Sequence, residues 1–352
     1  MSFEKNIRTV VPYTPGEQPQ RRVIKLNTNE SPYAPSPKVA EVLHSFDADS
    51  LRRYPQPDCH VLTEALAAYH HVEEDQVFVG VGSDDVLSMC FLTFFAGEKP
   101  ILFPDITYSF YEVWAAVYRI PFIKVPLTDQ FELRPEDYRR ENGGIVFANP
   151  NAPTGKAMSL TGVEQIIKEN PDSVVIVDEA YVDFGGESAL PLISRYDNLL
   201  VTRTMSKARA LAGMRIGYAL GSKKLIRYLN DVKFSVNSYT MNAPSLAVGV
   251  ASLEDERYFR ETTAKTIATR EWTKEQLKKL GFFFPDSQTN FIFASRPGTS
   301  AERLFEQLKQ RDIYVRYFRQ PVLDQYLRIT IGTQQEMETL IRELETLLKK
   351  NF

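Results

Sequence analysis

The sequence predicts an α/β protein: a mostly parallel sheet with helices on both faces, joined to a smaller α+β domain. Short apolar runs rich in β-branched and aromatic residues recur through the middle of the chain without polar alternation, as strands covered on both faces require. Between several of them lie segments of helical period, and that alternation builds βαβ units around a parallel sheet. The chain length of 352 residues agrees, since about 150 residues per domain gives one large domain and a smaller one.

Taken in order, residues 1–30 read as an extended arm, because Pro12, Pro15, Gly16 and Pro19 crowd it with turn-forming residues. Strands are expected at Gln76 to Val79, Ile101 to Phe103, Phe122 to Val125, Ile145 to Phe147, Val174 to Val177, Leu199 to Thr202 and Ile216 to Leu220. Helices are expected at Asp84 to Phe95, Ser109 to Val117 and Leu160 to Glu169. Together these form a large domain over 31–250. Past Pro244 the pattern changes to a long charged helix, Glu254 to Leu280, then a strand at Asn290 to Ala294 and a helix at Ala301 to Arg311. Strands at Ile313 to Arg316 and Leu327 to Ile331 precede a last helix that carries Met337, Leu340, Ile341, Leu344, Leu347 and Leu348 on one face. This second domain spans 251–352.

Composition removes several function classes. With 43% apolar and 25% charged residues the chain is an ordinary globular one and not a disordered one. Lys plus Arg number 42 against 45 Asp plus Glu, so no basic surplus exists to neutralise a nucleic acid backbone. Cys59 and Cys90 can form at most one bridge, which fits a reducing cytoplasm. Met1 to Val11 carries charges and lacks the apolar run of an export signal, so no export is expected. The most apolar window, Val86 to Ala96, is far shorter than the ~20 residues that cross a bilayer, so no membrane is expected either. His44, His60, His70 and His71 show no zinc-site spacing, and no metal is assigned. The run Phe282 to Phe284 reads as packing.

Ligands of open α/β sheets sit beyond the carboxyl ends of the strands, so polar residues ending apolar runs come first. Gly80-Val-Gly-Ser-Asp-Asp85 follows one strand and opens a helix, giving close backbone approach and free N–H groups suited to phosphate. It lacks the third glycine of a dinucleotide fingerprint and the Gly-Lys-Ser/Thr of a triphosphate loop. Val174 to Val177 delivers Asp178, with the Tyr181 phenol three residues on. Leu199 to Thr202 leads to Thr204, Ser206 and Lys207, and Ile145 to Ala148 leads to Asn149-Pro-Asn-Ala-Pro-Thr-Gly155. Singly, each has a blander reading: a tight turn, a helix cap, a solvated lysine, a loop. Together they offer a phosphate cradle, an acid, a phenol, an amide and a lysine at neighbouring strand ends, which is the set pyridoxal phosphate needs.

With these motifs the chain resembles the fold-type I aminotransferases, and most closely the histidinol-phosphate aminotransferase family, over nearly its whole length. The resemblance is also carried by Leu26-Asn-Thr-Asn-Glu-Ser-Pro-Tyr33, Arg53-Tyr-Pro55, Thr107-Tyr108, Arg215 and Leu327-Arg-Ile-Thr-Ile-Gly332. It implies the fold-type I large domain, pyridoxal 5'-phosphate as cofactor, and Lys207 as the residue that holds it covalently and then moves the substrate proton. Asp178 would face the pyridine nitrogen. At ~4 Å and an effective dielectric of ~20 that ion pair is worth about 4 kcal/mol, or roughly three pKa units, and it makes the ring an electron sink. Tyr181 and an asparagine of the 149–155 loop would bond the ring hydroxyl, lowering the pKa of the lysine–cofactor linkage. Tyr108 would stack on the ring.

For the cofactor phosphate the resemblance implies Ser83 and Asp84 backbone groups, Thr204, Ser206 and Arg215, with Tyr54 reaching in from a second subunit of a homodimer. For the substrate it implies Arg328, helped by Arg316, Tyr13 and Asn29; a guanidinium fork suits both carboxylate and phosphate. One departure stands out. The family usually carries Asn-Asn before Pro-Thr-Gly, whereas this chain has Asn151-Ala152. The ring-hydroxyl contact then falls to Asn151 through a local backbone shift, or to Tyr181 alone.

The implied reaction is a two-half transamination between histidinol phosphate or imidazole-acetol phosphate and glutamate or 2-oxoglutarate, in histidine biosynthesis in the cytoplasm. Relatives with nearly the same motifs act on aromatic amino acids or decarboxylate threonine phosphate, and one side chain at the mouth of the site could switch between them. A different class is a non-catalytic module that senses the cofactor. The lack of a basic extension before Val10 argues against it.

Overall fold

The computed structural model describes residues 3–349. In chain order the elements begin with β1 (Ile24–Leu26), α1 (Pro37–Ser45), α2 (His60–His70), β2 (Val77–Val81), α3 (Gly82–Phe94), β3 (Ile101–Pro104), α4 (Phe110–Tyr118) and β4 (Phe122–Val125). They continue with β5 (Ile145–Ala148), α5 (Leu160–Glu169), β6 (Val175–Asp178), β7 (Leu199–Thr204), β8 (Ile216–Gly221), α6 (Lys223–Val236) and α7 (Ala243–Leu253). The last are α8 (Glu256–Lys279), β9 (Phe291–Ala294), α9 (Ala301–Lys309), β10 (Ile313–Tyr317), β11 (Leu327–Thr330) and α10 (Gln334–Lys349).

Seven strands form one sheet in the order β2-β8-β7-β6-β5-β3-β4. The pairings from β7 through β4 are parallel, and β8 runs against both its neighbours. Strand alternation sends Ile145, Phe147, Val175 and Val177 into one apolar layer and Val146, Ile176 and Leu200 into another, so both faces are covered. The first layer includes Leu62 and Leu66 of α2 with Val163 and Ile166 of α5; the second includes Leu87 of α3, Trp114 of α4 and Leu229 of α6. A side chain as fully buried as Phe147 contributes about 1.5–3 kcal/mol relative to exposure.

The smaller sheet has the order β1-β10-β11-β9 and its own apolar cluster, which includes the expected stripe of α10. Here the structure departs from the expected arm. Ile24–Leu26 pairs in parallel with Ile313 to Val315, so the stretch read as extended and unpacked contributes a strand to the C-terminal sheet. A run of three residues, Ile-Lys-Leu, is too short to be read as a strand, yet Leu26 is buried by its partner's pairing. Helices α1, α2, α6 and α7 were likewise not foreseen, while β6 and β7 run on to include Asp178 and Thr204 themselves.

Candidate active site

A cleft lies where the carboxyl ends of β5, β6 and β7 face β11 and the residue 13–29 segment. Lys207, Asp178, Tyr181, Tyr108, Ser83, Asp84, Ser206, Arg215, Tyr13, Asn29, Arg316 and Arg328 all line it. In the sheet register Asp178 stands between Ala148 of β5 and Thr202 of β7, so parallel pairing sets the acid beside the turn that carries Ser206 and Lys207.

Asp178 is buried. Its carboxylate accepts from the Tyr111 hydroxyl at 3.0 Å and from the Ala180 N–H at 3.2 Å. Burial pushes its pKa up to about 6 against these bonds. Tyr111 is a member of the site that the sequence did not reveal. It falls on the apolar face of α4, and nothing in its spacing indicates that its hydroxyl reaches a carboxylate 67 positions away. The Lys207 ammonium donates to the Thr28 carbonyl at 3.3 Å and lies 5.7 Å from the Tyr181 ring centroid.

The N-terminus of α3 meets β8 closely. A Cβ on Gly217 would lie 2.3 Å from the Ser83 nitrogen, and a Cβ on Gly82, at φ +84°, would lie 2.4 Å from an Arg215 nitrogen. No side chain caps α3, so its first N–H groups are free for an anion. Ser206 Oγ is buried and has no hydrogen-bond partner. Arg215 lies 3.3 Å from Asp84, whose other oxygen accepts from the Tyr108 hydroxyl at 2.7 Å. A phosphate supplies the acceptor that Ser206 and these N–H groups lack, a protonated ring nitrogen supplies the cation for Asp178, and Lys207 supplies an amine. Pyridoxal phosphate fits this donor set.

Three expected residues are not brought to the cleft. Thr204 accepts the Ser206 N–H at 3.0 Å and donates to the Ile216 carbonyl at 3.3 Å, so its hydroxyl hydrogen is spent on the turn. Asn151 donates to the Ile106 carbonyl at 2.9 Å and to Thr154 Oγ1 at 3.0 Å, and accepts from Thr107 at 2.9 Å. Both hydrogens of its amide are spent on protein acceptors, and it is Ala152 that lines the cleft. Tyr54 is 80% exposed and stacks on Tyr239 at 4.5 Å, outside this chain's cleft.

On the opposite wall, Arg328 and Arg316 are direct cross-strand partners in β11 and β10. Neither has a carboxylate partner among the described residues. Arg328 donates to the Asn27 carbonyl at 3.1 Å, keeps a buried Nε without a partner, and lies over Phe291 and Phe318 at 5.4 and 5.5 Å. Arg328 stands on an interior strand of the smaller sheet, between β10 and β9. Two like charges directly opposite repel, and an anion between them removes that cost. Tyr13 stacks on Phe110 at 4.2 Å and meets Tyr108 edge-on at 6.3 Å, closing the aromatic side.

Among the described residues no group of three or more His, Cys, Asp or Glu converges as a metal site, and no helix is long and apolar enough to cross a membrane. The family model for aminotransferase class I and II matches residues 21–344. A histidinol-phosphate aminotransferase of Lactococcus lactis subsp. cremoris (strain MG1363) is 52% identical over 350 residues, covering 99% of this chain and 98% of the relative. Histidinol-phosphate aminotransferase 1 of Hydrogenovibrio crunogenus is 51% identical over 344 residues, covering 97% of each. Among solved structures, the histidinol-phosphate aminotransferase of Sinorhizobium meliloti in complex with pyridoxal-5'-phosphate superposes with a TM-score of 0.84 at 23% identity, covering 94% of this chain and 93% of that one. That of Clostridium acetobutylicum gives 0.86 at 21% identity, covering 93% and 100%. These two share the fold. Matched over 99% of its length by a relative at 52% identity and over residues 21–344 by the family model, the chain belongs to the class I and II aminotransferases, enzymes that work with pyridoxal phosphate.

Proposed function

We propose that this enzyme exchanges an amino group between histidinol phosphate and 2-oxoglutarate, with imidazole-acetol phosphate and glutamate as the other pair, as a step of histidine biosynthesis. The named relatives support the substrate. The observation that carries the reading is the Arg316–Arg328 pair, set across the cleft from Lys207 with no carboxylate of its own. A phosphate on one substrate and a distal carboxylate on the other would meet the same two guanidinium groups in turn.

When bound, pyridoxal phosphate supplies an aldehyde that receives the amine and a ring that accepts the electron pair left on the substrate carbon. Lys207 would tether it and, once displaced, would carry the proton from the substrate carbon to the cofactor's aldehyde carbon on the far side of the nitrogen. Asp178 keeps the ring nitrogen protonated, and the Tyr111 hydroxyl holds the Asp178 carboxylate in place. Ser83, Asp84, Ser206 and Arg215 hold the phosphate. Tyr108, braced by Asp84, would stack on the ring and help exclude water.

Tyr54 completes the phosphate site of a second copy, so the enzyme works as a homodimer. Support comes from its exposure beside Tyr239, with Leu51, Phe234 and Val236 also exposed nearby in sequence. Both cysteines are free and buried, in keeping with a cytoplasmic enzyme. The test is direct: glutamate should shift the absorbance of the yellow holoenzyme, and turnover should favour histidinol phosphate over phenylalanine and threonine phosphate. A preference for phenylalanine, or carbon dioxide release from threonine phosphate, defeats the substrate assignment. Sedimentation equilibrium should give a dimer.

A further inference from the structure

With Ala152 in the cleft and the Asn151 amide fully engaged in its loop, the polar contact to the ring hydroxyl falls to Tyr181. What fixes Tyr181 lies on the other wall. Asn29 Nδ2 donates to the Tyr181 hydroxyl oxygen at 2.9 Å, and both residues are buried. Asn29 is itself held at every polar atom. Its N–H donates to Thr330 Oγ1 at 3.0 Å, its Oδ1 accepts from that hydroxyl at 2.9 Å, and its carbonyl accepts from Asn290 Nδ2 at 3.0 Å. Its φ of +57° is a left-handed conformation that asparagine tolerates better than most residues.

The chain of bonds has a direction. A hydroxyl owns one hydrogen, and because Thr330 Oγ1 accepts from the Asn29 N–H, that hydrogen is free for Asn29 Oδ1. This orients the amide and turns Nδ2 toward Tyr181. A phenol oxygen that accepts there keeps its own hydrogen for another acceptor, and accepting makes it a stronger donor.

We propose that Asn29, wired by Thr330 and Asn290, is a positioning residue that fixes Tyr181 as a hydrogen-bond donor to the cofactor's ring hydroxyl, standing in for the amide that position 152 lacks. The inference rests on the reading above that pyridoxal phosphate lies against Tyr181. A donor there stabilises the ionised ring oxygen, so the Lys207–cofactor chromophore loses its proton at a lower pH.

The experiment is an absorbance titration of the holoenzyme against pH, read as the midpoint of the colour change. Tyr181→Phe should raise the midpoint by about one unit. Asn29→Asp keeps the shape but presents an acceptor, which draws the phenol hydrogen to itself, and should raise it by a similar amount. Thr330→Val frees the amide to turn and should raise it by about half a unit. Asn29→Asp should add nothing in the Tyr181→Phe background, as two residues acting through one bond require. If Asn29→Asp loses the cofactor, Thr330→Val carries the test. A purely structural role would lower the melting temperature of both variants with midpoints within about 0.2 unit of wild type while Tyr181→Phe still shifts, and that result overturns the proposal. An unmoved midpoint in Tyr181→Phe is a different failure: it removes the cofactor from Tyr181 and the inference with it.

Discussion

The two walls of the cleft are assembled by different means. On one, neighbouring strands β6 and β7 deliver Asp178 and the turn that carries Ser206 and Lys207, and α3 follows β2 directly and packs its first turn against Gly217 of β8. On the other, residues 27–29 meet β11 through bonds spanning 301 positions, and Arg316 reaches back as far to the segment ahead of β1. The first wall is a product of the sheet core and holds groups of fixed chemistry. The second is a seam between chain ends, where Arg316 and Arg328 would face the substrate and Asn29 reaches across to Tyr181. Most of the reaction chemistry is thereby assigned to strand ends of one sheet and substrate choice to contacts distant in the chain.

If that division holds, the largest effects come from the strand-end wall. Lys207→Ala should retain the cofactor without a covalent bond, lose the label left by borohydride reduction, and lower kcat by roughly 10⁴-fold, the upper range for removing a positioned general base. Residual turnover within about tenfold of wild type would place the tether elsewhere.

Asp178→Asn comes next, with kcat lower by about 10³-fold from loss of an ion pair of about 4 kcal/mol. It also has a signature in the cofactor-free chain. Burial raises the Asp178 pKa from 3.8 to about 6, so the folded state holds the proton more tightly than the unfolded state. That stabilisation is complete below about pH 3.8 and is lost as pH rises through 6. Between pH 4 and 7 the cofactor-free wild type should therefore lose about 2.4 kcal/mol more stability than Asp178→Asn, and cofactor should abolish the difference. Denaturant titrations at the two pH values measure it, and parallel losses in the two proteins would refute the assignment.

That these two residues reach the cleft was legible in the sequence because each ends or closely follows an unbroken apolar run, and a strand end fixes where its last side chain sits. The same logic erred at Thr204, also a strand end, because the sequence cannot say which of two hydroxyls in Thr-Met-Ser the local turn will consume. It did not settle Asn151 because two of that residue's three partners, Ile106 and Thr107, lie more than 40 positions away and meet it only in the fold. On the seam, motif resemblance named Asn29 and Arg328, but their partners were invisible, since Thr330, Asn290 and Asn27 become neighbours only when the strand within the arm joins the second sheet.

Arg328→Gln should act on binding and leave the cofactor spectrum unchanged. Removing charge-assisted bonds worth about 1.5–3 kcal/mol lowers kcat/KM by roughly 10- to 150-fold for both the phosphorylated substrate and glutamate. A loss confined to one of the two would show that the anions do not share the site.

The smallest effect belongs to Arg316→Ala, and it discriminates best between a rigid wall and a seam. Its two terminal nitrogens donate to the Thr14 and Pro15 carbonyls at 2.7 and 3.1 Å, so part of its capacity already pins the segment that carries Tyr13. The Arg21–Asp312 and Lys309–Glu17 ion pairs fasten the same segment but are exposed, and such pairs contribute about 0–1 kcal/mol each. Without Arg316, unfolding stability should change by less than about 1 kcal/mol, because β1 still pairs with β10. The segment before it should loosen, with faster tryptic cleavage at Arg21 and Arg22 and a KM raised by no more than about tenfold at unchanged kcat. Equal cleavage rates in variant and wild type would mean that the strap is held by the strand alone and that Arg316 serves the substrate only.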